Sequence, residues 1–105
     1  MKKVVGLGAC VFDTLISCPR YADEDTKLAA TDVFTAAGGP VGNALVVMSG
    51  LGVSARLIGS LGGDNAAEYI INDFHKQGVA TDGAVTISGA RSFTSYILPV
   101  SYTHL

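Results

Sequence analysis

The run Ala37-Gly38-Gly39-Pro40-Val41-Gly42-Asn43-Ala44 constrains this chain more than any other stretch. Glycines and a proline precede an Asn, and a helical apolar pattern then begins. Pro40 fits the first turn of a helix, where its missing N–H leaves nothing unsatisfied. Bare glycine backbone at that point lets a polar small molecule approach the helical N–H groups, because no Cβ atoms block the way.

Around this run, strand-like and helix-like segments alternate. Lys3 to Leu7 reads as a short buried strand bounded by glycine, and Val11 to Ser17 continues extended until Cys18-Pro19 breaks it. Residues 20–26 are polar and acidic and read as an exposed loop, and Lys27 to Ala36 reads as one or two short strands. In the helix from Pro40, residues Ala44, Leu45, Val47, Met48 and Leu51 form the expected apolar face, with Gly50 or Gly52 ending it. Val53 to Gly59 is expected as a second buried strand, broken by Gly59-Ser60-Leu61-Gly62-Gly63.

Asp64 is placed to cap a helix from Asn65 to about Gln77, with Gly78 just beyond its end. Ala67, Ile70, Ile71 and Phe74 share its inner face, leaving Glu68, Asn72, Asp73 and Lys76 for water. Val85 to Ile87 and Ser92 to Val100 read as closing strands. Strands alternating with helices indicate α/β architecture with a mainly parallel sheet. Such a sheet needs cover on both faces and partners at its edges, so the chain is expected to be an N-terminal piece of something longer.

Composition narrows the function classes. Of 105 residues 49% are hydrophobic and 15% charged, and the net charge of −2 comes without a Lys/Arg run. Neither nucleic acid nor an anionic membrane surface is an expected partner. Gly6, Gly8 and Asp13 interrupt the N-terminal apolar segment too early for a secretory signal, so the cytoplasm is the expected location and Cys10 and Cys18 are expected as free thiols.

Gly6-Leu7-Gly8 fails as a dinucleotide fingerprint, because position 11 is Val and the next segment is strand-like. No Gly-x-x-x-x-Gly-Lys-Ser/Thr phosphate loop occurs. No catalytic constellation and no metal-ligand set is evident; Asp23, Glu24 and Asp25 read as a solvated acidic loop, and His75 lies on the polar side of a helix. Asp13 is expected just beyond the first strand, where ligands gather in open α/β sheets. A carboxylate there can accept hydrogen bonds from vicinal hydroxyls or simply cap a turn. Asn43 likewise either bonds locally or supplies a donor and an acceptor to a ligand.

Taken in order, these motifs resemble the N-terminal third of a PfkB/ribokinase-type carbohydrate kinase. Gly8 with Asp13 resembles the Gly-x-x-x-x-Asp opening, and Gly38 to Ala44 resembles the first family signature. Leu51-Gly52, Gly59-Ser60-Leu61-Gly62-Gly63-Asp64 and Gln77-Gly78-Val79 follow at the familiar spacing. Arg20 to Asp25 and Asp73-Phe74 look closest to the ketohexokinase-like branch, and Ala67 stands where many relatives carry glycine. The resemblance covers residues 3–99, whereas residues 100–105 do not look like family sequence.

That resemblance implies a ribokinase-like, Rossmann-type parallel sheet with flanking helices and a small β lid, incomplete at the C-terminus. The lid strands would lie within 14–36 and 91–99, and the lid would serve as a homodimer surface. Asp13, Gly38, Gly39 and Asn43 would bind the hydroxyls of a sugar or nucleoside. ATP and Mg²⁺, with the catalytic base in a Gly-Ala-Gly-Asp signature, would belong to a C-terminal part not contained in these residues. The segment alone is therefore expected to be inactive. A non-catalytic sugar-binding module or regulator is the alternative.

Overall fold

The computed structural model describes residues 2–99. The strands are β1 (Lys3–Leu7), β2 (Val11–Ser17), β3 (Asp32–Gly38), β4 (Ser54–Gly62), β5 (Val79–Ile87) and β6 (Phe93–Ile97), and the helices are α1 (Pro40–Gly50) and α2 (Asn65–Lys76). They form an α/β fold with two sheets. One is wholly parallel in the order β1-β4-β5; the other has the order β3-β2-β6. In the second sheet β2 runs antiparallel to β3 and parallel to β6.

The β1-α1-β4 and β4-α2-β5 crossovers advance in one direction across the first sheet, so right-handed connections place both helices on the same face. Burial along β4 alternates accordingly. Ala55, Leu57 and Leu61 lie beneath the helices, while Ser54, Arg56, Ile58 and Ser60 point to the opposite, exposed face. Phe74, Ile70, Leu45, Leu57, Val79 and Cys10 are fully buried and form the centre of the core. Each large side chain among them contributes about 1.5–3 kcal/mol relative to remaining in water.

Helix α2 follows the expected course. Asp64 caps it through a 3.0 Å hydrogen bond from the Ala67 N–H, and Ala67, Ile70 and Phe74 are buried. Gln77 closes it, and Gly78 turns the chain at φ 82°. Asp73 departs from its expected place in water: its Oδ2 accepts from the Ala37 N–H at 2.9 Å, tying α2 to the end of β3. Tyr69 makes a second tie, donating to the Thr35 carbonyl at 2.8 Å and packing against Phe12 in a tilted pair, ring centroids 4.7 Å apart and planes at 59°.

Other expectations require correction. Of the predicted stripe on α1 Leu45 alone is buried, together with Gly42, while Ala44, Val47, Met48 and Leu51 are exposed. Gly42 is the reason: a Cβ there would run into the Phe74 ring, so the two helices pack through the missing side chain. Strand β4 does not break at Gly59 but runs on to Gly62, and β5 starts at Val79, well before Val85. Residues 27–31 are not a strand, and β6 ends at Ile97. The expected tail at 100–105, with His104, lies outside the described residues. Both cysteines are free thiols.

Candidate functional site

The first turn of α1 begins without a side-chain cap. Gly39 occupies the N-cap position at φ 105° and ψ 149°, Pro40 follows, and the first helical bond runs from the Asn43 N–H to the Gly39 carbonyl at 2.9 Å. A helix start of this kind carries backbone N–H groups that no intrahelical acceptor satisfies, together with a partial positive charge. Gly39 is required twice over. Its backbone lies in the left-handed half of φ, and a Cβ would sit 2.6 Å from the Ala9 carbonyl oxygen.

Asp13 reaches this region from the neighbouring strand. It lies inside β2, not just past β1 as the sequence suggested, because Gly8 to Cys10 already form the connection between those strands. Antiparallel pairing sets Asp13 opposite Ala36, so Gly38 is its diagonal neighbour on the same face. A Cβ on Gly38 would fall on Asp13 Oδ2; the carboxylate lies over bare backbone. On the other side, parallel pairing sets Ser95 of β6 directly beside Asp13, and Ser95 Oγ donates to Asp13 Oδ1.

Asp13 and Gly38 thus meet, with Gly39 next in the chain and Asn43 one helical turn further on. The Asn43 residue is exposed, and among the described residues no hydrogen bond joins its side chain to Asp13. Asp13 is half-buried, with Oδ2 against a glycine. Together these groups offer a carboxylate acceptor, helix-start donors and an amide, which is the chemistry that polyhydroxylated ligands require.

A separate cleft of about 290 Å³ lies at the start of α2, lined by Gly62, Gly63, Asp64, Asn65, Ala67, Glu68, Ile71 and Thr86. None of Asp13, Gly38, Gly39 or Asn43 lines it. Of its two carboxylates, that of Asp64 is already committed. Asp64 Oδ2 accepts from the Ser92 N–H at 2.8 Å and Oδ1 from Ser92 Oγ at 2.7 Å, besides capping α2. Ser92 Oγ accepts in turn from the Gly62 N–H at 3.0 Å. The Ser92 bonds, backbone before side chain, hold the Asp64 carboxyl below its ordinary range. This is a joint between the two sheets.

The contacts of Ser92 and Ser95 with Asp64 and Asp13 carry no signal in the sequence, where the two are hydroxyls in a strand-like run. Their roles depend on the β2–β6 register and on the turn that follows β5. Asp23, Glu24 and Asp25 remain exposed, and among the described residues no cluster of three or more His, Cys, Asp or Glu is arranged to hold a metal ion. No helix among them is long and apolar enough to cross a membrane.

This architecture, a parallel sheet with flanking helices beside a smaller second sheet, is that of the ribokinase-fold kinases. Residues 1–101 match the pfkB family carbohydrate kinases, and the chain belongs to that family. The structure of a candidate ribokinase from Agrobacterium tumefaciens superposes with a TM-score of 0.87 at 31% identity, over 92% of this chain and 32% of that one. Ketohexokinase from Mus musculus is 30% identical over 78 residues, 74% of this chain and 26% of its own length. Arabidopsis thaliana ribokinase, complexed with ribose and ATP, shares the fold at a TM-score of 0.79 and 21% identity, over 98% of this chain and 33% of its own. The chain spans between 26% and 33% of the length of the curated relatives it matches.

Proposed function

We propose that this chain is the substrate-binding, N-terminal portion of an ATP-dependent sugar or nucleoside kinase, which transfers the γ-phosphoryl group to a substrate hydroxyl. The observation that carries the reading is the Asp13 carboxylate lying over bare Gly38 beside the uncapped start of α1. Asp13 accepts substrate hydroxyls, Gly38 and Gly39 let the sugar reach backbone, and Asn43 contributes its amide. The β3-β2-β6 sheet acts as the lid, closing over the sugar to exclude water and offering the face opposite Asp13, where Val33 and Tyr96 are exposed, to a second copy. ATP and Mg²⁺ are assigned to the remaining part of a longer, cytoplasmic protein, since the chain spans only 26% to 33% of the length of its curated relatives.

The test is an assay of the full-length protein with ATP and D-ribose, D-fructose or adenosine, beside calorimetric titration of each substrate. Phosphorylation of one of them, with binding lost in Asp13→Asn, is the expected result. Binding without turnover would make the protein a non-catalytic sugar-binding module. Failure of all three to bind would overturn the proposal.

A further inference from the structure

We propose that Ser95 is a positioning residue of the hydroxyl-binding site, setting which oxygen of Asp13 receives the substrate; this rests on the sugar-site reading of Asp13. The two side chains are 82 residues apart in sequence, yet the parallel β2–β6 register pairs them on one face, where Ser95 Oγ donates to Asp13 Oδ1. Both residues are half-buried. A carboxylate is an acceptor only, and the serine hydroxyl has a single proton to donate. With that proton committed to Oδ1, Asp13 cannot rotate freely, and Oδ2 is held over Gly38 at the foot of α1. Ser95 therefore turns a symmetric carboxylate into a directed acceptor aimed at one substrate hydroxyl.

Because Ser95 sits on β6 and Asp13 on β2, the contact also spans neighbouring strands of the sheet proposed as the lid. Removing the hydroxyl leaves the carboxylate in place but unaimed. Its effect should then depend on the substrate hydroxyl that Asp13 accepts, and a general loosening of the fold would not.

The experiment titrates the full-length protein and its Ser95→Ala, Ser95→Thr and Asp13→Asn variants with D-ribose, 2-deoxy-D-ribose and 3-deoxy-D-ribose, or with D-fructose and its deoxy forms where fructose is the sugar bound. Ser95→Ala is expected to weaken the parent sugar about tenfold, the scale of a hydrogen bond to a charged group. It should weaken the deoxy sugar that lacks the Asp13-bound hydroxyl by much less, because the two losses share one interaction. Ser95→Thr keeps the hydroxyl and should retain affinity. Equal weakening of every sugar by Ser95→Ala, or no weakening at all, overturns the role of Ser95. If Asp13→Asn leaves affinity unchanged, the sugar-site reading itself is wrong, which separates the two failures.

Discussion

A methyl group added at Gly38 would land on Asp13 Oδ2, whereas one added at Gly39 would meet the Ala9 carbonyl and would have to adopt φ 105°. The two substitutions should therefore fail differently. Gly38→Ala is expected to push the carboxylate aside and weaken sugar binding about tenfold, equivalent to losing one charge-assisted hydrogen bond, with little change in unfolding. Gly39→Ala should cost about 1–3 kcal/mol of stability, since backbone rather than a movable side chain blocks it. Calorimetric titration and urea denaturation of the full-length protein separate the two. Gly42→Ala belongs with the second kind, because its Cβ would strike the buried Phe74 ring; a similar loss of about 1–3 kcal/mol is expected by urea denaturation. The two thiols should also separate. Cys10 is 1% exposed and burial pushes its thiol pKa up, so near pH 8 a thiol-specific reagent should label Cys18 well before Cys10. Equal labelling rates would contradict the burial of Cys10.

The joint at the start of α2 works as an element rather than a residue, since one carboxylate caps the helix and holds the lead-in to β6. The folded state lowers the Asp64 pKa below the ordinary carboxylate value of about 3.9, so its contribution is complete above that value. It is lost as pH falls through the lower folded pKa. Asp64→Asn should therefore lower the melting temperature at pH 7 and narrow its deficit in strongly acidic solution; a deficit independent of pH would count against the joint. Much of α2 was readable in the sequence because cap, apolar spacing and closing glycine all agree there. The face of α1 was not, because Ala44 to Met48 is apolar at every position and the decisive contact is made by Gly42, which carries no hydrophobic signal. Strand β4 was cut short for a related reason. Gly59 and Gly62 resemble breaks, but they are glycine because the Gly8 and Ala90 carbonyls press against them. Asp13 and Gly38 were legible through their motifs, while Ser95 depended on a register that no local pattern encodes.

At the scale of the whole molecule, the radius of gyration is 16.0 Å, against about 13 Å for a compact chain of this length. Both helices lie on one face of the parallel sheet, leaving Val5, Leu7, Ile58, Val85 and Ile87 exposed, and Val47 and Leu51 project from α1. Residues 1–105 alone are expected to self-associate and to transfer no phosphate, which light scattering and a coupled ATPase assay would check. A monomer with a cooperative melt would contradict the first expectation, and turnover the second. The ties from α2 carry a consequence for motion. Tyr69 and Asp73 grip β3 near Thr35 and Ala37, and Asp64 grips the entrance to β6, so all three attachments lie toward one end of the second sheet. Bending there would sweep the far end, around Ser17 and Asp32, through a wide arc while Asp13, beside the pivot, hardly shifts. Under the proposed function, an acceptor near the axis would keep its aim on the sugar throughout the swing.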